Sequence, residues 1–238
     1  MSTARRLVLL AGLLIGCSRR PAVRVSAAVS LEPWLKGALA DYRGAAVEAT
    51  YGASGILERQ IAAGAPVDVF LSASPAEIDE LGARVRARRD IASNRLVLAL
   101  SREGAALIHR PEDLASAAVH RIALGRPQSV PAGRYAQVAL ERLSLWRTLE
   151  PKLLFANHVA EVRAWIARGD VEAGFVYASE AAGLPAALPL PTAPRALLVA
   201  ALLGGEAAEP SPAARSLYEF LTSRDRLASL ASAGFAPP

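Results

Sequence analysis

Short apolar runs alternate with amphipathic stretches along most of the chain, and that alternation predicts its elements. Val23–Val29 is a strand-length, mostly apolar run, and Ser30 then opens a helix to about Tyr42. Val47–Tyr51 reads as a second strand, Gly55–Ala63 as an amphipathic helix closed by Gly64-Ala65-Pro66, and Val67–Leu71 as a third strand. Ser74-Pro75-Ala76-Glu77 has the form of a capping box with proline in the first turn, so a helix is expected to about Arg84. The run Arg84–Asp90 interleaves basic residues with an acid and reads as the solvated end of that helix. Arg95–Ser101 is a strongly apolar strand, followed by a short helix at Pro111–Ala115 and a strand at Arg121–Leu124. Pro131-Ala132-Gly133 leads into a helix to about Leu143; Lys152–Phe155 is a strand, His158–Arg168 a helix and Ala173–Tyr177 an apolar strand. Arg195–Leu203 is a last strand, and Ser211-Pro212 caps a final helix pair. Such alternation predicts an α/β architecture with largely parallel pairing, in which ligands sit where strand C-termini meet helix N-termini.

The first residues read as an address and not as fold. Arg5 and Arg6 precede the apolar run Leu7–Ile15, too short to span a bilayer but suited to a signal-peptide core. Its end, Leu14-Ile15-Gly16-Cys17, resembles the lipobox of bacterial lipoprotein signals. That resemblance implies a signal over residues 1–16, lipidation at Cys17 and a tether over 17–22. Cys17 is the only cysteine, so no intramolecular disulfide or multi-cysteine metal site can form.

The formal net charge of +5 overstates how basic the body is. Arg5, Arg6, Arg19 and Arg20 all precede Pro21, which leaves +1 for the rest. Aromatic residues are few and do not alternate with the basic ones, which argues against a nucleic-acid surface.

The candidate chemistry lies at the starts of helices. In Thr50–Leu57, small residues run into a helix with no charged side chain among them. The first N–H groups of a helix have no partner within it, and the macrodipole makes that end positive. An anion held there would be bound by dipoles and hydroxyls instead of salt bridges. Ser30, Ser54, Ala132 and Asn157-His158-Val159 all follow an expected strand and open a helix, and Tyr177 ends an apolar strand. Taken one at a time, each reads as an ordinary cap before it reads as a ligand contact, and pattern alone does not lift it above that.

Five segments, in order, resemble periplasmic molybdate-binding proteins of ABC transporters, in a lipoprotein form. They are Ala27-Ala28-Val29-Ser30-Leu31, Tyr51–Gly55, Gly64–Ala73, Val130–Ala136 and Gly174–Ala181. The Gly234-Phe235 ending also fits. The resemblance implies a type II periplasmic-binding-protein fold: two α/β lobes joined by two crossing strands, with a ligand cleft between them. The crossings are expected near Val97–Leu100 and Leu197–Ala200, which assigns residues 23–98 and 199–238 to lobe one and 99–198 to lobe two.

By the same resemblance, Ser30 and Ser54 bind the oxyanion from lobe one, and Ala132, Val159 and Tyr177 bind it from lobe two. Molybdenum would be bound only as the oxyanion, through these residues. The implied ligand is molybdate or tungstate, with no cofactor, no nucleic acid and no catalytic residue. The implied partners are an ABC permease of the inner membrane and the membrane itself, through the Cys17 lipid. The expected state is a monomeric binding lipoprotein, not an enzyme, in the periplasm or at the cell surface.

The chain departs from the family at Arg126 and at Asn157-His158, where acidic residues are common, and at Ala53, often serine. His158 is read as a solvent-facing first-turn residue. Asp68 and Ser72 are read as framework. Another oxyanion such as sulfate or phosphate remains open on the same fold. Ferric iron would need a cluster of tyrosines and acids that Tyr177 and its neighbours do not offer. An enzyme built from Asp68, Glu77, Glu161, His109, His120 or His158 lacks any Ser-His-Asp order, HExxH or P-loop pattern. A regulator sharing the fold would need a DNA-binding domain where the lipobox stands.

Overall fold

The computed structural model describes residues 22–205 and 208–238. The expected signal, the lipidation at Cys17 and all of the tether but Ala22 lie outside the described residues. No helix among the described residues is long and apolar enough to cross a membrane.

The chain first builds β1 (Val23–Ala28), α1 (Glu32–Asp41), β2 (Val47–Gly52), α2 (Ser54–Ala62), β3 (Val69–Ser72), the short α3 (Ala76–Asp79) and β4 (Val85–Asn94). It then forms β5 (Leu96–Leu100), α4 (Arg102–Leu107), β6 (Ile122–Gly125), α5 (Pro131–Arg142), the short α6 (Trp146–Leu149), β7 (Leu153–Ala156), α7 (Val159–Arg168), β8 (Ala173–Tyr177) and β9 (Ala186–Pro189). It closes with β10 (Ala196–Leu203), α8 (Pro212–Leu221) and α9 (Arg224–Ser232).

Two five-stranded sheets result, in the orders β2-β1-β3-β10-β4 and β7-β6-β8-β5-β9. Each is mixed, which corrects the expectation of largely parallel pairing. β1 runs parallel to β2 and β3, and β6 runs parallel to β7 and β8. The strands next to the passages between sheets, β10 and β5, run antiparallel to their neighbours. The chain changes sheets at Arg95 and again within 190–195, a few residues ahead of the expected positions. A chain that leaves a lobe and comes back must enter each sheet against the direction of the βα units already there.

The expected helix end at Arg84–Asp90 is instead strand β4. Only a single 3-10 turn, Gly82–Arg84, follows α3. Val85 and Ala87 alternate with exposed Arg86 and Arg88, a period of two that the charges hid. β4 pairs along its length with β10 and forms one edge of its sheet, where charged side chains discourage pairing with a second chain. Helix α4 and strand β9 had no counterpart in the expectations.

Packing follows pattern. β1, β3 and β8 bury almost every residue because helices cover both faces. In α2 the buried Leu57 and Ile61 lie one turn apart, over Phe70, Ile78, Val199 and Ala201. α5 presents Ala132, Gly133, Ala136, Ala139 and Leu140 to its sheet, a face of small residues that brings its backbone close to β6.

Asp68 ties the frame together: its carboxylate accepts from the Arg24 N–H at 2.7 Å. The Ser72 hydroxyl donates to the Ser74 carbonyl at 2.7 Å, within its own turn. Both are occupied in holding backbone.

Candidate functional site

Six chain segments converge on one recess between the lobes. From lobe one come the turn after β1 with Ser30, the start of α2 with Gly52, Ala53 and Ser54, and Ala73 after β3. From lobe two come Val130, Pro131 and Ala132 at the start of α5, His158 and Val159 at the start of α7, and Tyr177 at the end of β8. The space, its mouth included, is about 240 Å³. Ser30, Ser54, Ala132, Val159 and Tyr177 all line it. No Asp, Glu, Lys or Arg does.

Local sequence explains why these groups face the recess with their donors free. α2 and α5 begin after Ala53 and Val130, neither of which caps its helix with a side chain. Pro131 has no N–H, so Ala132 carries the first one of α5. Among the described residues, no acceptor is found for the N–H of Ser54, Ala132 or Val159. The Ser54 hydroxyl, in a residue 1% exposed, accepts from the Ala73 N–H at 3.0 Å and keeps its own proton to donate. The arrangement is a ring of neutral donors at helix starts, suited to a compact oxyanion.

Tyr177 is the sharpest element. It is 2% exposed, and its hydroxyl is buried with no hydrogen-bond partner among the described residues. Leaving such a group unpaired costs about 1–3 kcal/mol, which a bound acceptor would recover. Burial pushes its phenol well above the ordinary range, reinforced by Tyr135, Glu180 and Glu77 and only partly opposed by Arg134. It therefore stays protonated, as a donor must.

His158 does not face solvent as the sequence suggested. It is half-buried, lines the recess and caps α7, its Nδ1 accepting from the Glu161 N–H at 3.2 Å. In the neutral ring the proton is then on Nε2. Glu161 reaches back to the Asn157 N–H at 2.8 Å, so the two residues cap the helix reciprocally and leave Val159 free. A histidine three residues before a glutamate was the available signal, but histidine is not among the favoured cap residues. Arg126 is exposed, and it is its backbone that holds the loop, through bonds with Ala156, Ser129 and Val130.

Glu180, just after β8, is half-buried as a residue, yet its Oε2 is sealed from solvent without a partner among the described residues. Burial pushes its carboxyl from 4.5 up to about 7, with a hydrogen bond to the Tyr177 backbone and the Arg163 charge only partly offsetting it. The folded value exceeds the unfolded one. As pH rises from 4.5 through 7, the unfolded chain has released a proton that the folded one still holds, so stability falls over that window. Glu180→Gln is expected to raise stability at pH 8 by about 2 kcal/mol and to change little at pH 4. Denaturant melts at the two pH values check this, and equal effects at both would refute it.

The chain matches the family described as bacterial extracellular solute-binding protein over residues 23–236. It is 31% identical over 186 residues, 71% of each chain, to YvgL of Bacillus subtilis, a protein named for the substrate-binding lipoproteins of ABC transporters. It is 32% identical over 186 residues to the molybdate-binding protein ModA of Rhodobacter capsulatus, covering 76% of this chain and 73% of that one. In fold it is similar to the periplasmic molybdate-binding protein of Azotobacter vinelandii, with a TM-score of 0.80, 24% identity, and coverage of 91% of this chain and 99% of the other.

Proposed function

Since the chain belongs to the bacterial extracellular solute-binding proteins, a family of transport components and not enzymes, we propose that it captures molybdate, and tungstate with it, for an ABC permease. Ser30 and Ser54 from one lobe, and Ala132, Val159 and Tyr177 from the other, hold the oxyanion. The observation that carries this reading is the buried Tyr177 hydroxyl, without a partner among the described residues, in a recess whose other donors are free N–H groups and two serines. The names of the sequence relatives support molybdate over other oxyanions.

Neutral donors suit a carrier. They hold a dianion by dipoles alone and leave no buried lysine or arginine to trap it against release. Fixed donors also select by size, because an anion too small to reach every one leaves buried groups unpaired. Donors from both lobes favour the closed form, and closure is what the permease reads. Lipidation at Cys17 keeps the monomeric protein at the membrane, outside the cytoplasm.

Titration calorimetry tests the assignment: one equivalent of molybdate or tungstate binds tightly, sulfate and phosphate far more weakly. No heat with molybdate, or equal heat with sulfate, sinks it. Ser54→Ala removes one donor to the ligand and should weaken molybdate binding roughly ten-fold, the usual effect of leaving a charged acceptor one bond short. Unchanged affinity would reduce Ser54 to its bond with Ala73.

A further inference from the structure

The recess has no charged lining, yet a guanidinium lies one helical turn from it. Arg134 is on α5 of lobe two, two residues after Ala132. It donates to Oε1 of Glu77, on α3 of lobe one, at 2.7 Å and to the Ser74 hydroxyl at 3.3 Å. The neighbouring Tyr135 hydroxyl also meets Ser74. Glu77 is 5% exposed, and its Oε2 is buried with no partner among the described residues. A carboxylate this deeply buried depends on its counter-ion, and here the counter-ion comes from the opposite lobe.

We propose that Glu77 and Arg134 form a latch across the cleft, as positioning residues that hold the lobes closed over the ligand. The inference rests on the binding function proposed above and adds to it how the ligand is retained. Any hinge motion at Arg95 and 190–195 moves α3 and α5 with different lobes, so opening parts the pair. In the closed form Glu77 also pairs with the Arg134 charge, so the neutral donors that line the recess discriminate between anions. Selectivity and retention are thereby carried by different residues.

Breaking a buried pair from one side leaves the other charge stranded, whereas removing both does not. Stopped-flow release of molybdate should therefore be about ten-fold faster in Arg134→Gln, and a few-fold faster both in Glu77→Gln and in the double variant, which loses the latch without stranding a buried charge. Tungstate release should change by the same factors, and the melting temperatures of the ligand-free variants should fall less than those of the molybdate-bound ones. Small-angle scattering of the ligand-free protein supplies a second reading, in which each single variant should be more extended than the original. Unchanged release rates with unchanged dimensions overturn the latch. So does a fall in ligand-free melting temperature as large as that in the bound form, which would make the pair merely structural. If the original protein ignores molybdate while the single variants still open, the molybdate assignment fails and the latch stands.

Discussion

Replacing Gly55 with alanine is expected to weaken oxyanion binding on the order of a hundred-fold while leaving the ligand-free protein at least as stable. Gly55 is the second residue of α2, and its N–H donates across the cleft to the Ser129 carbonyl at 3.1 Å. A Cβ built there would lie 2.8 Å from that oxygen, 3.2 Å from the Ser129 Cα and 3.3 Å from its carbonyl carbon. All three are backbone atoms, in a loop pinned by the Ser129 N–H to Arg126, and cannot swing aside as a side chain would. The collision exists only when the lobes meet, so the open protein escapes it. Overpacking of this kind costs about 1–3 kcal/mol, here charged to the closed state alone. Alanine is meanwhile the better helix residue, by up to about 1 kcal/mol. Calorimetry with molybdate beside a melt without ligand reads the two effects, which should have opposite signs. Undiminished affinity would mean that the bound form does not bring Gly55 against Ser129.

Gly133→Ala should instead unfold lobe two with or without ligand, lowering stability by about 3 kcal/mol or more. Its Cβ would fall 1.8 Å from the Gly125 carbonyl oxygen and 2.5 Å from its carbon, at the end of β6. Both residues belong to one lobe, so no hinge motion relieves the contact; α5 must lift from its sheet. That would also displace Ala132, one of the free donors. The midpoint of urea unfolding measures the loss. A midpoint unchanged within error would show that α5 does not seat on β6 as closely as described. The two substitutions add one methylene-sized group each and differ only in whether the obstructing backbone can move away.

Much of the site was legible because helix starts declare themselves locally. Small residues after an apolar run, a proline in the first turn and a glycine that admits close packing are features of a few consecutive residues, and Ser54, Ala132 and Val159 could be found from them. What such a pattern could not separate was a cap from a ligand donor. That depends on whether the N–H groups and hydroxyls are already spent, and the partner of each lies far along the chain: Ala73 for Ser54, Ser129 for Gly55. β4 is hidden in the sequence for a related reason. Its arginines speak of solvent, which both a helix face and an edge strand supply, and the pairing with β10 that decides between them joins Val85–Asn94 to Ala196–Leu203.

By itself, then, the amino-acid sequence determined the succession of apolar strands and helix starts, the absence of charge in the segment from Thr50 to Leu57, and the candidate donors. These follow from hydrophobic periodicity and from backbone chemistry within a turn or two. Only the tertiary structure decided that the strands form two mixed sheets, that His158 caps α7 at the wall of the recess, and that Glu77 finds its counter-ion in Arg134. Pairings of that kind join residues distant in the chain, and burial sets their strength; neither is written in local pattern.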